Sequence, residues 1–139
     1  MIVLDTNVLS ELMKATPADS VMRWVASQPA TSLYTTSITQ AELLHGIMPL
    51  SAGKRRKAFE TAAQAMFDED FVGRILPFGS DAAAHYAQIA AARRRAGQPI
   101  SHFDAQIAAI SHSAGAAVAT RNVSDFEGCG VKVINPWEG

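Results

Sequence analysis

The chain predicts an α/β domain: a mainly parallel central sheet of about five strands, flanked by helices. Three observations predict it. Short, wholly apolar segments such as Ile2-Val3-Leu4 lack the alternation of a strand with one wet face, so they suit a sheet covered on both sides. These segments alternate with longer stretches of helical pattern, the order that βαβ units require. Of the 139 residues, 48% are hydrophobic and 18% charged. That is enough apolar matter for one domain spanning residues 1–139, with some left for a subunit interface.

The elements follow in order. Ile2 to Leu4 is the first strand and runs into Asp5; Thr6-Asn7 caps a helix through about Met13. Pro17 opens a second helix, 18–28, with Val21, Trp24 and Val25 on one face. Ser32 to Thr35 reads as the second strand, after which Ser37 or Thr39 caps a helix that carries Glu42 and ends near Gly46 to Pro49. Residues 52–68 form a helix opening on Gly53-Lys54-Arg55-Arg56-Lys57. Arg74 to Pro77 is a short third strand, and 81–96 an alanine-rich helix broken by Gly97-Gln98-Pro99. Ser101 caps a helix to about Ala114, stopped by Gly115. Ala116 to Thr120 and Val131 to Ile134 are the fourth and fifth strands.

Composition excludes several classes. Net charge is −1 and the isoelectric point near 6.4, so nucleic-acid binding has to come from a local basic patch or from metal. A single cysteine, Cys129, excludes an internal disulfide and fits a reducing compartment. No signal-peptide pattern precedes Asp5, and no apolar run reaches membrane-spanning length, so a cytoplasmic, membrane-free protein is expected.

Three carboxylates stand alone. Asp5 is the only charged residue between Met1 and Ser10, Glu42 between Trp24 and Gly53, and Asp104 between Ala96 and Thr120. Burying an ionised carboxylate is costly unless it is paired or binds metal, and none of the three has a basic neighbour in sequence. Ligands in open α/β sheets bind beyond the carboxyl ends of the strands. Asp5 ends the first strand, Glu42 and Asp104 each lie one turn into a helix, and Thr120-Arg121-Asn122 follows the fourth strand. All can meet at one edge, where mutual repulsion calls for a divalent cation. Taken singly, each has a plainer reading as helix-dipole compensation or a turn former.

Other residues signal less. His45, His85, His102 and His112 make no spaced ligand set, and Cys129 has no activating neighbour in sequence. Lys54-Arg55-Arg56-Lys57 and Arg93-Arg94-Arg95 read first as solvated helix faces and second as phosphate contacts; Arg121 is a further candidate for the latter.

Val3-Leu4-Asp5-Thr6-Asn7, Ser37-Ile38-Thr39-Gln40-Ala41-Glu42-Leu43 and Asp104-Ala105-Gln106-Ile107-Ala108-Ala109 together resemble a PIN domain, in particular the VapC/FitB type of toxin ribonuclease from bacterial toxin–antitoxin pairs. Thr120-Arg121-Asn122 and Val133-Ile134-Asn135-Pro136-Trp137 fit the same group. The resemblance covers nearly the whole chain. It implies a Mg²⁺- or Mn²⁺-dependent endoribonuclease cutting tRNA or ribosomal RNA, a homodimer, and inhibition by a cognate antitoxin. Asp5, Glu42 and Asp104 match the family's metal-binding acids; the fourth acidic position falls at Asn122, a departure that leaves an oxygen donor without charge. Asp125 is an alternative donor three residues on. Thr6 and Asn7 match polar positions beside the site; Lys54, Arg55 and Arg121 are the RNA contacts to test. The alternative reading is a PIN-like module that binds RNA or a partner without cutting. A phosphatase with Asp5 as nucleophile fits less well, because the haloacid-dehalogenase pattern wants a second Asp where Asn7 stands.

Overall fold

The computed structural model describes residues 1–138. All pairings in the sheet are parallel, in the order β3-β2-β1-β4-β5. The strands are β1 (Ile2–Leu4), β2 (Leu33–Thr36), β3 (Ile75–Leu76), β4 (Ala117–Ala119) and β5 (Val133–Ile134). The helices are α1 (Thr6–Leu12), α2 (Asp19–Ser27), α3 (Ser37–Ile47), α4 (Lys54–Ala65), α5 (Ser80–Arg95) and α6 (His102–Ser113). A π-helical turn, Met66–Asp70, prolongs α4, and a 3₁₀ turn, Val123–Phe126, follows β4. The five-stranded α/β architecture matches the sequence expectation.

The two faces of the sheet are read directly from β1 and β4. Val3 and Val118 enter an apolar cluster with Ile89 of α5 and Ile107 and Ile110 of α6. Leu4 and Ala119, one residue on, enter the opposite cluster with Val8, Leu9, Val21 and Phe67. Successive strand residues point to opposite faces, so both faces of these central strands are dry. This is why β1 shows no alternation.

The order places β1 at the centre. The chain winds outward through β2 and β3, then returns to the other flank of β1 as β4. Connections leaving β1 and β4 therefore diverge, and a crevice opens at their carboxyl ends. That crevice holds the first and last of the predicted site segments.

Some local expectations need correction. The cap of α1 is Asp5, whose carboxylate accepts from the Thr6 N–H, so Thr6 and Asn7 lie inside the helix. Thr36, not Ser37 or Thr39, caps α3, and its hydroxyl accepts from the Thr39 N–H. Both shifts have one cause: the strand runs into the helix without a loop, so its last extended residue does the capping. The helix expected at Pro17 begins at Asp19, with Ala18 as its cap. Ser101 caps α6 as expected, and Gly115 takes a left-handed conformation at φ 67° beyond its end. The edge strands β3 and β5 are shorter than the sequence suggested because each pairs along one side only.

Candidate active site

At the crevice lies a cavity of about 440 Å³ whose walls include Asp5, Asn7, Glu42, Asp104, Arg121 and Asn122. A larger cavity, about 540 Å³, is lined mainly by apolar side chains such as Leu12, Val25 and Met66, with Asp70 as its one carboxylate and Arg74 as its one cation. Chemistry, not size, marks the site.

Asp5 is 4% exposed. Its backbone N–H donates to Ala119 O at 2.9 Å, carrying the β1–β4 ladder one step past the strands and fixing the residue between them. Its Oδ1 accepts from Thr6 N–H and its Oδ2 from the Thr120 hydroxyl, both at 2.8 Å. Burial pushes its carboxyl up to about 6, and the Asp104 and Glu42 charges push the same way; the bonds from Thr120 and Thr6 resist.

Glu42 lies in the second turn of α3, further in than expected because Thr36 starts the helix. Its Oε1 accepts from the Thr6 hydroxyl at 2.8 Å, and that hydroxyl lies 3.2 Å from Thr39 Oγ1. Burial raises its carboxyl, and Asp104 adds to the rise. Asp104 sits in the first turn of α6, its N–H donating to Ser101 Oγ at 3.2 Å. Its carboxyl too is raised, first by burial and then by Asp125. The three acids that stood alone in sequence are therefore brought to one cavity, where each is held nearer its neutral form than it would be in water.

Asn122 is exposed at the head of the 3₁₀ turn and lines the cavity. Asp125 does not line it and acts on Asp104 through its charge alone. Arg121 lies over the Trp137 ring, 5.2 Å from its centroid, and its N–H donates to Asn7 Oδ1 at 3.3 Å. Arg55 reaches an adjoining groove that shares Thr6, Ser10 and Glu42 with the site; Lys54 faces a separate depression beside Gly53. Arg93 is not a phosphate contact as placed. It is buried, donating to the carbonyls of Gln98, Asp125 and Glu127.

Sequence reasoning missed three features. Thr120 is a hub: it donates to Asp5 and accepts from Asn7 Nδ2 and the Asn122 N–H, each at 3.1 Å. Its signal was a polar residue closing the apolar run Ala116 to Ala119. Glu11 and Lys14, an ion pair at 2.9 Å in i,i+3 spacing, line the cavity as well. The Lys14 ammonium and the Ala18 N–H hold the Glu11 carboxyl below its ordinary range. Trp137, noted only as part of a matching segment, forms part of the wall.

Among the described residues, no three His, Cys, Asp or Glu side chains are gathered tightly enough to hold a metal ion as they stand. The donor chemistry nevertheless fits one kind of ion. Carboxylates, hydroxyls and an amide oxygen are hard donors suited to Mg²⁺ or Mn²⁺, with no thiolate or imidazole that would select zinc. Burial raises all three carboxyls and a neighbouring carboxylate adds to the rise at each, negative charge that a cation would relieve.

Comparison with known proteins gives matches along the chain. A family model described as PIN domain matches residues 2–127. The chain is 44% identical over 138 residues, 99% of both proteins, to VapC ribonuclease Y4jK of Sinorhizobium fredii (strain NBRC 101917 / NGR234). It is 38% identical over 137 residues, again 99% of both, to Toxin FitB of Neisseria gonorrhoeae (strain ATCC 700825 / FA 1090). A solved structure of FitAB bound to the IR36 DNA fragment matches with a TM-score of 0.92 at 37% identity, covering 99% of this chain and 96% of that one.

Proposed function

The chain belongs to the PIN-domain family, and from that premise we propose that it is a metal-dependent endoribonuclease toxin held in check by a cognate antitoxin. One observation carries the reading: Asp5, Glu42 and Asp104 converge on one cavity, where burial raises all three carboxyls and the Asp104 charge adds to the rise at Asp5 and Glu42. Asp5, Glu42 and Asp104 would hold Mg²⁺ or Mn²⁺, with Asn122 as an uncharged fourth oxygen. When bound, the cation neutralises the acids, polarises the phosphate and makes water more acidic.

The chain's own groups prepare that chemistry. Both Asp5 oxygens are fixed by Thr6 and Thr120, so the carboxylate is aimed before any ligand arrives. Thr6 ties Glu42 to α1 and thus to Asp5. Arg121 lines the cavity, Arg55 the adjoining groove and Lys54 the next depression, which supports assigning them to phosphate contact, Lys54 the most weakly. In-line attack by water would leave a 5′-phosphate and a 3′-hydroxyl. No 2′-hydroxyl takes part, so selection of structured RNA (tRNA or rRNA) falls to the walls of the groove.

The relatives that support this reading are a VapC ribonuclease and the toxin FitB, and FitAB has been seen on DNA. The reading proposes a small protein antitoxin as partner, a homodimer as the working form and the cytoplasm as the compartment. No described helix is long and apolar enough to cross a membrane.

Asn122 favours a second reading, a module that binds RNA without cutting, because it leaves the fourth position uncharged. One incubation separates the two. Purified protein is mixed with a tRNA pool or ribosomal RNA fragments in Mg²⁺, in Mn²⁺ and in chelator. Discrete fragments with 5′-phosphate ends, absent in chelator, are expected. RNA bound but intact in both cations would instead establish the binding module.

A further inference from the structure

The acidic end of the cavity repels the polymer that the proposed activity would cut, and the chain has no excess of positive charge to offset this. Counterion release from many phosphates is therefore not available as the main source of affinity. Single-stranded nucleic acid has another handle, the π-face of an unstacked base.

The cavity offers a surface for it. Trp137 is half-buried and packs against the apolar cluster that holds Leu4 and Val8, so its ring has a firm backing. Its backbone N–H donates to Asn135 Oδ1 at 2.9 Å, and Pro136 before it is buried, which fixes the approach of the chain. The exposed Arg121 guanidinium lies over this ring at 5.2 Å while also lining the cavity. The Asn7 Oδ1 bond to the Arg121 N–H sets the backbone beneath it, and Asn7 also contacts Thr120, the residue that holds Asp5. The pair is thus tied to Asp5 by a short hydrogen-bonded path. A guanidinium in cation–π contact with an aromatic ring offers an unstacked base a surface to stack on.

We propose, resting on the ribonuclease reading above, that Arg121 and Trp137 form a nucleobase subsite beside Asp5 that takes one unstacked base of single-stranded or loop RNA. The base lies on the Arg121 guanidinium, which lies in turn on the indole, and the same guanidinium meets the adjacent phosphate. A base still paired and stacked in a duplex cannot enter. The subsite therefore restricts cutting to loops and unpaired segments, and it tolerates different bases because every base presents a π-face.

The chain has only two tryptophans, Trp24 and Trp137, so a Trp24→Phe protein reports on Trp137 alone. A single-stranded RNA decamer is titrated into this protein in chelator, where the proposed cleavage does not run, and the protein's emission is followed. Saturable quenching is expected from the single strand and not from the same sequence as a duplex. Arg121→Lys in that background keeps the charge and loses the plane, and it should weaken the apparent affinity by about tenfold. Trp137→Phe in the otherwise wild-type chain keeps a ring and should weaken single-strand binding, read by fluorescence anisotropy of a labelled decamer, by less. Equal quenching by duplex and single strand, or an Arg121→Lys protein with unchanged affinity, would overturn the subsite. Cleavage of RNA by the same preparation is scored separately. Cleavage without quenching removes the subsite and leaves the nuclease; quenching without cleavage does the reverse.

Discussion

Arg93 and Asp5 are both buried charges, 8% and 4% exposed, and the molecule treats them in opposite ways. The Arg93 guanidinium reaches three backbone carbonyls, of Gln98, Asp125 and Glu127, at 2.6 to 2.9 Å, with Cys129 Sγ at 3.9 Å. Its positive charge is answered by neutral dipoles, and it welds the end of α5 to the segment after β4. Asp5 also has its hydrogen bonds, yet its neighbours Glu42 and Asp104 carry its own sign, and its carboxyl is pushed up to about 6. One charge is buried among neutral dipoles that answer it. The other is buried among charges of its own sign, the environment in which perturbed carboxyls mark candidate functional sites.

Substitution should separate the two. Asp5→Asn is expected to lower RNA cleavage by about a thousandfold, because a cation's charge stabilisation is worth several kcal/mol. Its stability in chelator should stay level or rise, and a circular dichroism melt checks this. Cleavage near the wild-type rate would remove Asp5 from the site. Arg93→Met should do the opposite. Three carbonyls lose a charged donor, for a cost of about 3 kcal/mol in a denaturant titration, while cleavage per folded molecule stays within about twofold. Loss of cleavage without loss of stability would restore Arg93 as a phosphate contact.

Acid sharpens the contrast. The folded Asp5 carboxyl binds its proton more tightly than the unfolded one, about 6 against 3.8. Its contribution is thus most favourable below 3.8 and is lost as pH rises through about 6. The difference, at 1.36 kcal/mol per unit, comes to about 3 kcal/mol. Glu42 and Asp104 are raised too and act with the same sign. In chelator, wild-type protein should resist denaturant better at pH 4.5 than at pH 7.5, apart from the general loss that strong acid brings. Asp5→Asn and Asp104→Asn should each flatten that slope, and Asp104→Asn should melt higher than wild type at pH 7.5. Excess Mg²⁺ at pH 7.5 should stabilise the wild type by about 2–3 kcal/mol at a hundredfold excess over its dissociation constant, and the variants by much less. Variants that melt lower in chelator and respond to Mg²⁺ like wild type would show that the acids are not in tension.

The smallest effect is expected at Asn122. Asn122→Asp adds a charge to the cavity wall and should lower the Mg²⁺ concentration for half-maximal cleavage by a few-fold. An unchanged requirement places Asn122 outside the coordination sphere.

What could be read from sequence follows from the same contrast. Asp5, Glu42 and Asp104 were legible because each is a costly residue alone in an apolar stretch. The central strands were legible because Val3 and Leu4 face opposite clusters and leave no alternation. Thr120 was legible as a polar residue closing an apolar run, but its place as a hub was not, since a buried hydroxyl costs little and threonine is common in strands. Arg93 was hidden by its own run: Arg93-Arg94-Arg95 looks like a solvated face, and only its spacing from Ala82 and Ile89, eleven and four residues back, marks it as inward. The caps at Asp5 and Thr36 were each misplaced because strand and helix share a residue there. Trp137 carried no signal beyond its size, for its role depends on where β5 returns the chain.

The β1–β4 seam has a consequence in time. Asp5 and Thr120 are 115 residues apart and bonded to each other. A ribosome that has released only the first hundred residues has presented Asp5 and Glu42 without Asp104, and β1 without the strand that seals its second flank. Pairing over so long a separation is slow and comes late. The three carboxylates are thus not gathered at one cavity until α6 and β4 have been made.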